Sequence, residues 1–325
     1  MMAVSDTEHG AAFQVNARPM TAPNPKPSRP RSGTSLDAGI RLTHAWTAAV
    51  LLLVGGCAVE PIEPGWFTPP AQKPILFPPS AIDLAYEPVE FDVPDGRTLF
   101  GWFIPADNAP ATVMINHGAV VNRSTLFYHY RMIHDLGYNV FVYDYQGFGE
   151  SPGFASLDTL VPDADAALNY LLSRSEPATD HIVLFGISLG TLPTLVQAAR
   201  TPAGVIGVIL DGSFEIESLP STSYSAIGVV PLPEVLESLY KTYPELEPTQ
   251  YVDQITLPKL FIHSPQDMTT PLVGAERLYE LAPEPKQWCE VFGGHVLSSV
   301  LDADYADCIT VFLEDLTWGS FTDGD

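Results

Sequence analysis

A serine between two glycines, where an apolar run meets a helix-like segment, is the first group in this sequence that could do chemistry. Residues 181–190 read His-Ile-Val-Leu-Phe-Gly-Ile-Ser-Leu-Gly, and a helix-compatible segment, 191–200, follows at once. The Gly-x-Ser-x-Gly spacing is typical of a nucleophile elbow, a tight strand-to-helix turn with the serine at its apex. Side chains at the two glycine positions would collide with neighbouring backbone. The turn exposes the Ser188 hydroxyl beside the positive end of a helix, where it could attack a carbonyl carbon.

A serine hydroxyl is a weak nucleophile at neutral pH and needs a base that is itself held by an acid. Two histidines follow Ser188: His263 ends a predicted strand, and His295 lies beyond the last predicted strand, where its ring could swing onto the serine. Asp267 follows the strand that His263 ends and is the candidate acid. Asp211, at the end of the strand after the elbow, is the alternative acid. We therefore expect Ser188, His295 and Asp267 to form a catalytic triad.

The oxyanion produced by such an attack needs preorganised donors, and backbone N–H groups usually supply two. The N–H of Leu189, directly after the serine, is the first candidate. The second candidate is the N–H of Ala119, in the loop His117-Gly118-Ala119 that follows the third predicted strand.

The elements that must position these groups alternate between strand and helix. This order predicts a mostly parallel sheet covered by helices on both faces, with the first two strands as an edge hairpin. The predicted strands are 87–93, 97–104, 111–116, 139–143, the run before Ser188, 204–210, 259–263 and 287–292. The predicted helices are 124–136, 162–174, 191–200, 272–281 and 296–316. His129 and His134 fall on the first helix and are predicted to lie at its surface or boundary.

The charge is distributed unevenly along the chain. The 325 residues carry a formal net charge of −24, and 46% of them are hydrophobic. Residues 1–56 carry +2 and the remainder carries −26, with ten basic and 36 acidic side chains. Such a surface repels nucleic acid and anionic lipid headgroups. We expect no nucleic-acid partner and a neutral or cationic substrate.

The N-terminal residues are predicted to lie outside the folded domain. Residues 1–40 show no apolar period. A short apolar stretch, 45–54, follows Arg41, is too short to span a bilayer, and ends at Gly55-Gly56-Cys57. This pattern is typical of a secretory signal, and its small-small-Cys ending resembles the lipobox of bacterial lipoproteins. The resemblance implies that Cys57 is lipidated and that the protein is anchored in the cell envelope; the alternatives are an ordinary signal peptide with an incidental cysteine, or a buried segment.

The expected domain organisation follows from these boundaries. Residues 1–56 form a leader and signal, 57–80 a proline-rich tether, and 81–325 the domain. The distal end of the tether, 75–79, is apolar enough to lie on the domain.

Several motifs together resemble the α/β-hydrolases, most closely the serine-aminopeptidase-like group, over about residues 75–315. In chain order they are Gly101-Trp102-Phe103, Asn116-His117-Gly118, the loop 143–151, the elbow, the Asp267 loop and Gly293-Gly294-His295. The resemblance implies an α/β-hydrolase fold with an eight-stranded sheet, and a serine–acid–histidine order that Ser188, Asp267 and His295 satisfy. It also implies that His117 shapes the oxyanion loop and that Asp144 fixes its own glycine-rich loop. The pair His263-Ser264 departs from the His-Gly that the group often has.

Residues 215–256 lie where α/β-hydrolases insert a cap. The segment is short, so we expect one or two short helices that form a partial wall. Its aromatic and aliphatic side chains either line an acyl pocket or simply pack on the sheet edge.

Two cysteines remain once Cys57 is assigned to lipid. In an exported chain, Cys289 and Cys308 invite a disulfide between the last strand and the last helix, beside the His295 loop. The alternative is two buried free thiols.

These observations predict an exported, lipid-anchored serine hydrolase that cleaves carboxylic esters. A thioesterase or an aminopeptidase-like amide hydrolase is the alternative within the same fold, and a non-catalytic envelope binding module is the alternative from another class. No cofactor or metal is predicted, because no phosphate-cradling loop and no ligand-spaced His/Cys/carboxylate cluster is found. The expected partners are a small-molecule or acyl substrate and, through the lipid anchor only, a membrane.

Overall fold

The structure is a computed structural model, and it describes residues 74–119, 121–175, 178–216 and 244–319. The predicted leader, the signal with Cys57, and residues 217–243 of the predicted cap lie outside these ranges. Within the described ranges, no helix is both long enough and apolar enough to cross a membrane.

An eight-stranded sheet forms the centre of the domain, in the spatial order β1-β2-β4-β3-β5-β6-β7-β8. The first two strands pair antiparallel, β2 pairs antiparallel with β4, and the other neighbours are parallel. This arrangement confirms the predicted mostly parallel sheet. The strands are β1 (Glu87–Asp92), β2 (Thr98–Ile104), β3 (Thr112–Asn116), β4 (Asn139–Tyr143), β5 (Ile182–Ile187), β6 (Val205–Asp211), β7 (Lys259–His263) and β8 (Lys286–Glu290).

Helices cover both faces of the sheet, because the central strands are buried on both sides and need a cover on each. One face packs against α1 and α6, and the other against α2, α3 and α4. The helices of the described residues are α1 (Phe127–Asp135), α2 (Leu157–Ser173), α3 (Thr191–Ala199), α4 (Leu272–Leu281), α5 (Ser298–Leu301) and α6 (Asp304–Trp318).

Helix α2 begins at Leu157, five residues before the predicted start at Pro162. The Ser156 hydroxyl caps it by accepting from the Asp158 N–H at 3.3 Å. The extra turn also buries Leu157 and Leu160. Full burial of a leucine contributes roughly 1.5–3 kcal/mol, so two of them offset the roughly 3 kcal/mol that an interior proline costs. The predicted start was therefore wrong.

The predicted last helix, 296–316, is interrupted and forms α5 and α6. Asp302 lies in the break with an extended backbone. Its carboxylate accepts from the N–H of Asp304 at 3.0 Å and from the N–H of Phe292. This side chain satisfies an amide at the start of α6 and ties it to the chain after β8, which explains why one continuous helix does not form.

The described end of the predicted cap segment belongs to the domain core. Residues 244–254 form three short 3₁₀ turns that contact α3 and α4. Val252 and Ile255 are fully buried in the core on that face of the sheet.

A disulfide joins Cys289 of β8 to Cys308 of α6, with a Cα–Cα distance of 6.3 Å. Reducing it is expected to lower the free energy of unfolding by about 3 kcal/mol, because a closed loop of this length limits the entropy of the unfolded chain. Urea unfolding with and without reductant measures the change. The double variant Cys289→Ala/Cys308→Ala is the control and should not respond to reductant; an unchanged midpoint for the parent protein would contradict the prediction.

Candidate active site

The strand-to-helix turn at Ser188 has the strained geometry that the sequence predicts. Strand β5 ends at Ile187, and Ser188–Gly190 form a single 3₁₀ turn that leads into α3. Ser188 has a φ of 51°, in the left-handed region that a non-glycine residue rarely adopts. Such strain persists where the surrounding structure fixes it, and it holds the hydroxyl away from the sheet.

The turn requires glycine at positions 186 and 190, because neighbouring atoms lie too close to leave room for a side chain. A Cβ on Gly186 would lie 2.6 Å from the Thr194 hydroxyl and 2.8 Å from the carbonyl oxygen of Gly190. A Cβ on Gly190 would overlap the carbonyl of Asn116, at the end of β3. The turn therefore packs tightly between β3 and α3, with the collision at Gly190 that the spacing predicted.

The structure brings Ser188, His295 and Asp267 into one hydrogen-bonded row. The His295 Nε2 lies 2.7 Å from the Ser188 Oγ, and its Nδ1 lies 2.7 Å from the Asp267 Oδ2. The three residues follow β5, β7 and β8, whose carboxyl ends lie at the same edge of the parallel sheet. Loops at this edge are where ligands bind in open α/β sheets.

The Asp267 carboxylate is held by its own loop. Its Oδ1 accepts from the N–H groups of Thr269 and Thr270 at 2.8 and 2.9 Å, and its Oδ2 accepts from the Thr270 hydroxyl at 2.8 Å. Burial raises the pKa of Asp267, but the hydrogen bond and charge of His295, together with the Thr270 donors, outweigh it and leave the pKa below its usual value. An ionised Asp267 keeps the proton on His295 Nδ1, so Nε2 is free to accept from Ser188.

Asp211, the alternative acid, binds a different partner. Its Oδ2 accepts from the Tyr305 hydroxyl at 2.7 Å, and burial raises its pKa to about 6. The neighbouring Gly212 packs on the histidine ring, since a Cβ there would lie 3.3 Å from His295 Cε1. The carboxylate in hydrogen-bonding contact with His295 is thus that of Asp267.

Ser264 and Gln266 link the acid loop to the histidine loop. The Ser264 hydroxyl donates to the carbonyl of Gly293, and the Gln266 Oε1 accepts from the Gly293 N–H at 3.3 Å. Sequence reasoning noted Ser264 only as a departure from the usual glycine. Its position directly after β7, beside the acid, is the signal that could have identified this link.

The residues predicted to supply the oxyanion donors lie on the two chain segments next to Ser188. A Cβ on Gly118 would lie 3.3 Å from the Ser188 Cβ and 3.8 Å from its Oγ, so the loop that carries Ala119 passes beside the nucleophile. Leu189 is the second residue of the 3₁₀ turn, and the first N–H groups of a helix have no partner within it.

His117 holds the loop 117–119 in place through contacts with Gly118 and with the loop after β4. It is fully buried, and its Nδ1 lies 2.8 Å from the carbonyl of Gly118, which can only accept. The Nδ1 therefore carries the proton, and Nε2 accepts from the Tyr145 N–H at 3.5 Å. Burial lowers the pKa of His117, so the ring is a neutral clamp between the loops after β3 and β4.

Comparison with known proteins identifies the family. The model of the family described as serine aminopeptidase, S33 matches residues 107–253. The uncharacterized protein YfhR of Escherichia coli K12 is 34% identical over 223 residues, which cover 66% of this chain and 75% of YfhR. The chain belongs to the α/β-hydrolase superfamily. The uncharacterized protein Rv2307c of Mycobacterium tuberculosis is 30% identical over 220 residues, 66% of this chain and 74% of its own.

The fold of this α/β-hydrolase is also that of a solved esterase. The Pyrococcus furiosus esterase Pf2001 superposes with a TM-score of 0.65 at 21% identity, covering 77% of this chain and all (100%) of the esterase. At this level of identity, the likeness supports the fold alone.

In this hydrolase the Asp144 backbone carbonyl bonds its own loop, as predicted, by accepting from the Ser151 hydroxyl at 2.7 Å, but its side chain binds a neighbouring loop. Its carboxylate accepts from the Arg123 N–H at 2.7 Å and pairs with the Arg123 guanidinium. That guanidinium also lies over the Trp102 ring, 4.7 Å from its centroid, and pairs with Glu150. Gly149 leaves space for the Asp144 carboxylate, because a Cβ there would overlap it. The side-chain partner Arg123 was not predicted, because the loops after β3 and β4 meet only in the folded sheet.

Arg123→Met is expected to destabilise the hydrolase by about 3–5 kcal/mol, because it leaves the buried Asp144 carboxylate without its charged partner. Chemical denaturation followed by circular dichroism measures the loss. The matched control is Arg131→Met, which removes an exposed pair with Asp135 and should cost no more than about 1 kcal/mol. Equal effects for the two variants would contradict a structural role for the buried pair.

His129 is buried, whereas the sequence predicted a surface or boundary position. It lies on the inner face of α1 between the rings of Phe185 and Tyr305, and burial lowers its pKa to about 4. His134 is partly exposed, with its Nε2 3.1 Å from the carbonyl of Pro105. In the sequence of α1, apolar and polar residues are mixed before and after His129. The sequence alone therefore did not show which face of the helix is buried.

No group of three or more His, Cys, Asp or Glu side chains that could hold a metal ion occurs among the residues that the structure describes.

Proposed function

We propose that this protein is a serine hydrolase that cleaves carboxylic esters through an acyl-enzyme intermediate. The observation that carries the proposal is the row Ser188–His295–Asp267, with both hydrogen bonds at 2.7 Å, on a strained elbow at the ligand-binding edge of the sheet. Membership of the α/β-hydrolase superfamily supports hydrolase chemistry.

The geometry supports a two-step reaction. His295 Nε2 takes the Ser188 proton while the Oγ attacks the carbonyl carbon, and the N–H groups of Leu189 and Ala119 hold the oxyanion. Collapse of this intermediate expels the alcohol, which takes the proton from His295, and leaves the acyl group on Ser188. A water molecule, deprotonated by His295, then attacks the acyl carbon. The bond from that carbon to Ser188 Oγ breaks, the Oγ takes the proton back from His295, and the carboxylic acid is released. Asp267 stabilises the imidazolium in both steps.

An aminopeptidase-like amide hydrolase is the second candidate, because the matching family model is described as serine aminopeptidase. The same groups would serve, with an amine as the leaving group instead of an alcohol. A thioesterase differs only in a thiolate leaving group.

A substrate series separates these candidates. Nitrophenyl esters of increasing chain length, an acyl thioester and an aminoacyl nitroanilide would be compared by kcat/KM, with Ser188→Ala protein as the blank. We expect the esters to give the highest values. A nitroanilide value above that of every ester would favour the aminopeptidase, and hydrolysis equal to the blank throughout would reject the enzyme proposal.

We propose further that the protein is exported and anchored to the cell envelope by lipid on Cys57. The support is the sequence alone: a basic residue, a short apolar stretch and Gly55-Gly56-Cys57. Labelling of cells with a radioactive fatty acid tests it. The protein should incorporate label, the Cys57→Ser variant should not, and label in both variants would contradict the assignment.

A further inference from the structure

A group of large apolar side chains is exposed at the catalytic edge of the domain. We call it the edge patch and define it by six residues, each 44–59% exposed: Leu76, Phe77, Tyr128, Leu297, Val300 and Leu301. Scattered single apolar residues are normal on a surface, but a contiguous patch marks an interaction site.

The six residues come from three chain segments that contact one another. The Phe77 ring lies 5.1 Å from that of Phe127, which lies 4.2 Å from Tyr128. Helix α1, which begins at Phe127, contacts α5, which carries Val300 and Leu301. The three segments that carry the patch therefore lie next to one another.

The patch lies at the same edge of the sheet as the proposed active site. Helix α1 follows the loop that carries Ala119, and α5 follows the loop that carries His295. Leu297 is two residues beyond His295, and its N–H bonds the carbonyl of Gly294 at 3.1 Å. A surface that covered the patch would lie beside the loop that carries His295.

The described part of the chain also begins at this edge. Pro74, the first described residue, accepts from the Asn122 side chain at 3.4 Å, and the Leu76 N–H donates to the Ser124 hydroxyl at 3.0 Å. Asn122 and Ser124 belong to the loop after β3. Sixteen residues separate Cys57 from Pro74, and a proline-rich linker of this length would reach about 50 Å at about 3.1 Å per residue.

The charge of the chain limits the kind of lipid that the patch could meet. Residues 57–325 carry a net charge of −26. Near the patch, Arg123 is buried against Asp144 and Arg131 pairs with Asp135. Anionic headgroups would be repelled, so apolar contact with an uncharged or zwitterionic surface is the favourable case.

We propose that the edge patch rests on a zwitterionic phospholipid bilayer, so that the edge of the sheet that carries Ser188 faces the membrane. The proposal rests on the proposed function in one point, the anchor at Cys57, which would hold the patch at high local concentration beside the bilayer. It goes beyond the sequence expectation that lipid on Cys57 is the only membrane contact.

An environment-sensitive dye on the patch tests the proposal in the full chain. The background is Cys57→Ser, which removes the lipid, and Cys289 and Cys308 are joined by the disulfide and do not react. Val300→Cys carries the dye NBD on the patch. Val311→Cys on α6 is the matched control, because Val311 is 53% exposed and Val300 49%.

Phosphatidylcholine vesicles should raise the NBD emission at position 300 several-fold and shift it to shorter wavelength, with no change at position 311. Adding Leu297→Ser and Leu301→Ser should reduce the response at position 300. An unchanged signal at 300, or equal responses at both positions, overturns the proposal. A response that depends on protein concentration without vesicles also overturns it and assigns the patch to a second copy of the chain.

Hydrolysis of a soluble acetate ester is measured on the same samples. If the protein shows the dye response but no hydrolysis, the proposed enzyme function is rejected and the membrane contact stands. Hydrolysis without a dye response would reject the membrane contact and leave the proposed enzyme function standing.

Discussion

Ser188→Ala is expected to lower kcat for a nitrophenyl ester by a factor of about 10⁴–10⁶, the range found when the nucleophile of a triad is removed. The variant keeps the elbow and the His295–Asp267 pair, but it has no oxygen to form the acyl-enzyme. The fold should be retained, because the Ser188 hydroxyl bonds only His295 among the described residues. Initial rates and labelling by a fluorophosphonate probe both measure the effect.

The control for this variant is Ser299→Ala. Ser299 is close to the histidine loop, and its hydroxyl donates to the carbonyl of Val296 at 3.1 Å, but it does not contact the triad. Its activity should stay within a few-fold of the parent. Retained activity or probe labelling in Ser188→Ala protein would reject Ser188 as the nucleophile.

Asp267→Asn is expected to lower kcat by a factor of about 10⁴, because an amide that presents its N–H to His295 Nδ1 favours the wrong tautomer of the ring. The change is close to isosteric, and the Thr269 and Thr270 N–H groups can still bond the remaining oxygen. The loss should therefore appear in kcat while KM changes little. Steady-state kinetics at several pH values measure it.

Asp211→Asn is the matched comparison, since Asp211 is a buried carboxyl near the same histidine. Its hydrogen bond runs to Tyr305, and an asparagine oxygen can accept from that hydroxyl as well. We expect a loss of less than about tenfold, because the His295 tautomer does not depend on it. If Asp211→Asn cost as much as Asp267→Asn, the two carboxyls would share the role of the acid.

The fold was predictable because its signals are local and repeated. Strands that are buried on both faces read as short apolar runs, and the segments between them have helical spacing. The element boundaries were less predictable. Ser156 caps α2 locally and starts it before a proline that suggested a later start. Asp302 divides the last helix by accepting from the N–H of Phe292, ten residues earlier in the chain.

The same division holds within the candidate site. The sequence by itself determined the elbow, because only glycine fits where neighbouring atoms approach positions 186 and 190 closely. It also determined the order of serine, acid and histidine along the chain. Only the tertiary structure decided that Asp267 rather than Asp211 reaches His295, that Ser264 and Gln266 hold the two loops together, and that Asp144 binds Arg123. Those contacts join loops that are neighbours at one edge of the sheet but are separated by 20 or more residues in sequence. Local patterns indicate which residues can do chemistry, but the packing of parallel strands decides which of them meet.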